Sequence, residues 1–315
     1  MAHTFTLLAF TLLLVACSTS HKSSSANDPD LSDLDFLAEY SISAVQYGTS
    51  TSVTIKGDRR FIKSNGLPNH KTGVFPNAGN PNQISAQNRT YELPLHPEFS
   101  DEPRWVREPG VALNGVKFEP GTAERFVCES GEVYRIEAFQ ELIDLGLDFN
   151  HAHVQPTGAY HYHGVPTELI KLLDRGADLV HVGFALDGFP IYYSKSNAYR
   201  PSYELASEAR TGDACSYRNP KNSIEKNLEG SEPDGIFVSD WEYREGIGDL
   251  DECNGATVNG EYAYFVTKDY PYMSRCLKGK FEELRLQGPP PGGRGDRPHR
   301  RNNPPRGGAR PSHQH

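Results

Sequence analysis

The sequence predicts a β-rich α+β fold, mainly β with a few short helices, in a single disulfide-bonded domain. Three observations predict it. The 315 residues include 16 Tyr, 15 Phe, 29 Gly and 23 Pro but only two Met, a profile that suits strands and turns better than a helix bundle. Short runs of alternating apolar and polar residues are punctuated by pairs such as Asn114-Gly115 and Asp187-Gly188, which are strand and turn signals. Four cysteines, Cys128, Cys215, Cys253 and Cys276, lie beyond the N-terminal region, an even number that suggests two disulfides.

The N-terminus begins with an apolar run, FTLLAFTLLLVA over residues 5–16, followed by Cys17. It is too short to span a bilayer and suits a signal-peptide core. Leu14-Val15-Ala16-Cys17 resembles the lipobox of bacterial lipoproteins, in which the Cys is acylated and becomes the mature N-terminus. Residues 1–16 are therefore expected to be a signal peptide and Cys17 a lipid anchor. The segment before the apolar run, MAHT, departs from the usual pattern in having no Lys or Arg. Ser18 follows the Cys, which points to the outer membrane or the periplasmic face of the cell envelope. Residues 17–34 are polar and Ser-rich, the composition of a flexible tether.

The folded domain is expected over residues 35–287. Strand-like alternation starts near Ser41 and runs through Val53-Thr54-Ile55. Residues 64–83 are dense in Gly, Pro and Asn, which predicts an ordered series of turns. Strands are expected at 90–93, 111–118 and 125–128, with a type I′ turn at Asn114-Gly115. Helical spacing appears at 137–147 and 167–175. Asp187-Gly188 separates strands near 181–185 and 190–193, and 261–267 alternates as a strand. No internal repeat is evident. Residues 288–315 are low-complexity and expected to be disordered. Their Arg294-Gly295-Asp296 is a chance tripeptide in a tail rich in Arg and Gly. That tail carries six Arg and one Asp, a charge of +5, which leaves −14 on residues 1–287 within the chain's −9. An acidic body argues against a nucleic-acid partner.

Three disulfide connectivities are possible. Cys253–Cys276 is favoured because the two flank a compact aromatic segment, which leaves Cys128–Cys215. So short a loop stabilises by about 3 kcal/mol in the chain-entropy model. No CxxC pair is present to suggest a thiolate metal site.

Four of the twelve histidines fall in HAHVQPTGAYHYH: His151, His153, His161 and His163. On strands, each H-x-H unit puts two rings on one face. A hairpin centred on Thr157 would set His153 opposite His161 and His151 opposite His163, with Ala152, Val154, Tyr160 and Tyr162 on the other face. A loop with an even number of residues would shift the register by one and separate them. Opposed Cβ atoms stand about 4.5–5.5 Å apart, close enough for the rings to share one ion. A nitrogen-rich, thiolate-free set suits zinc or copper, and copper binds such sites more tightly. The competing explanation makes these histidines polar core residues. His70 and His181 are further candidates, His96 belongs to a surface loop, and the tail histidines His299, His313 and His315 bind metal only adventitiously. Asp249–Gly255 has the flavour of a calcium loop but fails the EF-hand pattern at Cys253 and Asn254, which favours a tight turn beside a disulfide. No G-x-S-x-G, H-E-x-x-H, Walker or G-x-G-x-x-G motif occurs.

The run Ala159-Tyr160-His161-Tyr162-His163-Gly164, preceded by His153-Val154-Gln155-Pro156-Thr157-Gly158, resembles the signature of the YHYH domain family. Asn65-Gly66-Leu67-Pro68-Asn69-His70, Gly110–Val116, Val182–Tyr192 and Gly248–Gly255 agree with it. The resemblance spans residues 45–280 and carries no activity with it. His70, His153, His161 and His163 match motif positions, and His151 lies just outside the core motif. The leading expectation is an exported lipoprotein that binds copper or zinc through His153, His161 and His163 together with His70 or His151. A metal-dependent extracellular hydrolase is the alternative, with Asp187 or Glu252 as general base. A third reading is a surface module that binds protein or glycan, with structural histidines. The expected partners are the membrane, through the anchor, and a metal ion.

Overall fold

Side-chain alternation builds the first sheet. In the computed structural model, which describes residues 38–219 and 223–281, β1 (Tyr40–Ala44), β2 (Thr49–Lys56), β3 (Arg59–Ser64) and β4 (Arg89–Pro94) form an antiparallel meander. Along β2, Thr49, Thr51 and Val53 are buried while Ser50 and Thr54 are exposed, the period of two of a half-buried strand. The expected signal peptide, Cys17, the tether and the basic tail with its three histidines lie outside the described residues. Among the described residues no helix is long and apolar enough to cross a membrane.

The central sheet has eight strands: β6 (Gly110–Ala112), β7 (Lys117–Phe118), β10 (Ala152–Val154), β11 (Tyr160–Tyr162), β12 (Leu179–Ala185), β13 (Pro190–Ser194), β18 (Gly255–Val258) and β19 (Glu261–Val266). Their order is β10-β11-β7-β6-β12-β13-β19-β18. A third sheet of β8 (Arg125–Cys128), β9 (Val133–Arg135), β15 (Cys215–Arg218) and β16 (Ser223–Lys226) encloses its own core around Phe126, Tyr217 and Phe237. Two small pairings complete the fold, β14 (Tyr203–Leu205) with β17 (Trp241–Tyr243) and β5 (Phe99–Trp105) with β20 (Cys276–Gly279). The favoured disulfides are the ones formed. Cys128–Cys215 joins facing residues of β8 and β15, and Cys253–Cys276 ties the segment before β18 to β20.

Two elements differ from expectation. The hairpin at Asn114-Gly115 forms, but not through a type I′ turn. Gly115 N donates to Ala112 O and Ala112 N to Val116 O, both at 2.8 Å. Leu113, Asn114 and Gly115 thus form a three-residue loop in which Gly115 alone takes positive φ, +82°, a turn closed by a left-handed glycine. Asn114 is held otherwise because its side chain is buried, with Nδ2 donating to Asn69 Oδ1 and Tyr162 Oη. Residues 137–147 are not a helix. Gln140 Oε1 accepts the N–H groups of Leu142 and Ile143, and Asp144 accepts that of Gly146. The apolar spacing serves an irregular loop that packs Leu142, Ile143 and Leu145 onto the third sheet's core. The second expected helix is present as α1 (Thr167–Leu173), which buries Leu169, Ile170 and Leu173.

The central sheet also repeats itself, although no repeat is evident in the sequence. β6 and β7 form a hairpin, β7 runs parallel to β11, and β11 is antiparallel to β10. In the same chain order, β12 and β13 form a hairpin, β13 runs parallel to β19, and β19 is antiparallel to β18. The two units meet at β6 and β12, where Gly110 faces Ala185 and Ala112 faces Gly183. Glycine is required at both joints: a Cβ on Gly110 would lie 2.3 Å from Phe184 O, and one on Gly183 2.5 Å from Val111 O.

Candidate metal centre

The site grows from the β10–β11 hairpin. Gln155 N donates to Ala159 O at 3.0 Å and Gly158 N to Gln155 O at 2.8 Å, with Gly158 at φ +84°. This again is a three-residue loop, Pro156-Thr157-Gly158. Its odd length sets the expected register: Ala152 faces Tyr162, His153 faces His161 and Val154 faces Tyr160. Ala152, Val154, Tyr160 and Tyr162 are buried on one side. On the other side His153, His161 and His163 form a nearly equilateral group, with ring centroids 4.6–4.8 Å apart. One nitrogen from each lies within 4.8 Å of the others. His161 and His163 are 1% exposed, and His153 is half-buried.

Hydrogen bonds settle which nitrogen is offered. His153 Nδ1 donates to Leu145 O at 2.9 Å, His161 Nδ1 to Ala159 O at 3.2 Å and His163 Nδ1 to Pro120 O at 3.3 Å. A carbonyl only accepts, so each Nδ1 carries the proton and each Nε2 keeps its lone pair. His163 Nε2 is buried with no hydrogen-bond partner. Burial holds the His153 pKa below its usual value. Burial and then the neighbouring rings hold those of His161 and His163 well below it. The three rings are therefore neutral near pH 7, as ligation requires.

A buried charged network lies beside the triad. Lys117 pairs with Glu119 and, at 3.1 Å, with Glu108; Arg107 reaches Glu119 at 2.6 Å, and Gln155 Nε2 donates to Glu119 at 2.8 Å. Burial alone would raise the Glu119 carboxyl, but Lys117 and Arg107 outweigh it and hold the group below its usual range. Lys117 faces His161 across the parallel β7–β11 pair. Sequence reasoning missed this pair, although two charges at 117 and 119 at the end of an expected strand were a signal for it. It also missed that the irregular loop supplies the Leu145 carbonyl.

The remaining candidates are placed elsewhere. His151 has φ +54°; its Nδ1 donates to Val165 O at 2.8 Å and its ring packs edge-on against Phe139. Only its backbone joins the hairpin, accepting His163 N at 2.8 Å. His70 uses both ring nitrogens, on Lys71 O and on Tyr162 Oη at 2.6 Å, and Tyr162 belongs to the face opposite the triad. His181 bonds Gly183 O, and burial pushes its pKa down to about 3. His96 is exposed. Asp187 accepts from Tyr264 Oη at 2.6 Å and Gly279 N at 2.9 Å, and burial raises its pKa to about 6. Glu252 pairs with Lys278 at 3.2 Å. Neither carboxylate touches the triad. Asp251 Oδ1 accepts the N–H groups of Cys253 and Gly255, so the segment Asp249–Gly255 is the tight turn beside a disulfide.

Searches of curated proteins and of solved structures found no match. The family model described as YHYH protein matches residues 90–279, which include the triad, its charged network and both units of the central sheet. The chain belongs to the YHYH family.

Proposed function

We propose that this domain binds one transition-metal ion, copper or zinc, through Nε2 of His153, His161 and His163. The observation that carries this reading is the set of three rings, with centroids 4.6–4.8 Å apart, whose Nδ1 protons are spent on backbone carbonyls, which leaves each Nε2 with its lone pair and that of His163 buried without a partner. Nδ1–H···O=C contacts of this kind orient ligating imidazoles and raise their basicity. Two donors on one tetrahedral ion at about 2.0–2.1 Å stand about 3.3 Å apart, and one nitrogen from each ring already lies within 4.8 Å of the others, so the rings would have to draw together around the ion. Three protein ligands leave the fourth position to water or an exogenous group, the arrangement of an exchangeable or reactive ion. Asp187 and Glu252 bond elsewhere and give the hydrolase reading no base.

The chain is further proposed to be an exported lipoprotein anchored through Cys17 in the cell envelope. Two disulfides support an oxidising compartment. The metal reading is tested by elemental analysis of untagged protein beside a His161→Ala/His163→Ala variant. About one equivalent of copper or zinc in the wild type and none in the variant is expected. Equal uptake by both would place the metal elsewhere.

A further inference from the structure

The two units of the central sheet agree in their hydrogen bonds as well as their topology. In the first, Asp148 N donates to Ala152 O, and the Asp148 carboxylate accepts Asn150 N and Tyr160 Oη, all at 2.8 Å. In the second, Asp251 N donates to Gly255 O at 2.9 Å, and the carboxylate accepts Cys253 N at 2.9 Å and Tyr262 Oη at 2.8 Å. The left-handed residues His151 and Asn254, at φ +54° and +59°, hold the same place. Their carbonyls accept His163 N at 2.8 Å and Phe265 N at 2.9 Å. Tyr162 Oη meets Asn114, and Tyr264 Oη meets Asp187. Asn114 and Asp187 are themselves equivalent, in the loops Ala112-Leu113-Asn114-Gly115 and Ala185-Leu186-Asp187-Gly188; in the second loop Gly188 N donates to Ala185 O and Ala185 N to Phe189 O.

The units differ where the candidate centre lies. The register puts Ala256, Ala263 and Phe265 at the places of His153, His161 and His163. It puts Pro190 and Tyr192 at the places of Lys117 and Glu119. Ala263 and Phe265 are buried in an apolar cluster with Leu250, and Ala256 packs against it. The same architecture thus closes over this place with apolar and aromatic side chains and no imidazole. Burying imidazoles here, with His163 Nε2 left without a hydrogen-bond partner, is costly by comparison, and packing does not demand it.

We infer that the sheet is a duplicated unit in which one copy carries the metal centre as a graft, so that the ion is held for function, exchanges with solution, and is not needed for folding. The inference rests on the metal-binding reading. It separates this site from structural zinc sites, whose proteins unfold when the metal is removed.

The test compares the full chain loaded with Zn²⁺, the same chain stripped by a chelator, and the variant His153→Ala/His161→Ala/His163→Phe, which imports the second unit's residues. Metal content and thermal unfolding are followed. The stripped chain is expected to unfold in one cooperative transition and to take up about one equivalent of Zn²⁺ again. The variant is expected to bind none and to melt cooperatively, at or above the stripped chain's midpoint. A stripped chain with no cooperative transition overturns the inference, because the ion would then be part of the fold. A variant that fails to fold where the stripped wild type folds also overturns it, because the two places would not be equivalent. A wild type that takes up no metal overturns the underlying reading as well, an outcome the metal analysis distinguishes by itself.

Discussion

Single protons and single hydrogen bonds govern the residue scale. The three histidines offer a metal the same nitrogen because three unrelated carbonyls, of Leu145, Ala159 and Pro120, take the other one. The histidines themselves were legible in the sequence as two H-x-H units, and so was their shared face. His151 was not separable from them, because the backbone conformation that diverts its ring leaves no mark in residue spacing. Asp187 shows the cost of a charge where the equivalent residue is neutral. Burial raises its pKa from 3.8 to about 6. A carboxyl whose pKa is raised by folding contributes stability that is fully present below pH 3.8 and lost as pH rises through about 6. The rise is worth on the order of 3 kcal/mol. Asp187→Asn, which copies Asn114, is expected to flatten this loss and to raise the midpoint of chemical denaturation at pH 7–8. An unchanged pH profile between pH 4 and 7 would show that the burial of Asp187 does not control stability.

At the scale of elements, loop parity decides the site. The three-residue turn Pro156-Thr157-Gly158 sets His153 opposite His161, and pairing these same strand residues through a two- or four-residue turn would send the rings to opposite faces. Gly158 sits at φ +84°, and a Cβ there would lie 1.9 Å from Ser85 Oγ. Gly158→Ala is therefore expected to cost about 1–3 kcal/mol and to weaken metal uptake through the hairpin. Urea denaturation indistinguishable from wild type would mean that the turn tolerates a side chain. The turn was readable because Pro and Gly carry backbone preferences that act locally. Residues 137–147 misled for the converse reason. Their apolar spacing fits a helix, yet Gln140 and Asp144 satisfy the local N–H groups in a loop, a competition decided by side-chain hydrogen bonds. The type of turn at Asn114 was likewise decided at a distance, by Asn69 and Tyr162.

Across the whole molecule, composition and cysteine number predicted a β-rich, disulfide-bonded domain, and the structure has it. The duplication stayed hidden because the matching stretches are short and unequal insertions separate them. The first hairpins are offset by 73 residues, Gly110 to Gly183, and the second by 102, Tyr160 to Tyr262. The proposed anchor belongs to this scale as well. In a bacterial host, labelled palmitate is expected to enter the wild-type chain and not the Cys17→Ser variant, and equal labelling of both would remove Cys17 as the site. The metal centre is tested most directly by anomalous diffraction at the Zn or Cu edge from crystals of the loaded protein. One peak is expected at about 2.0–2.1 Å from Nε2 of His153, His161 and His163. Loaded crystals with no peak at the triad, or a peak at His70, His151 or the tail histidines instead, would contradict it.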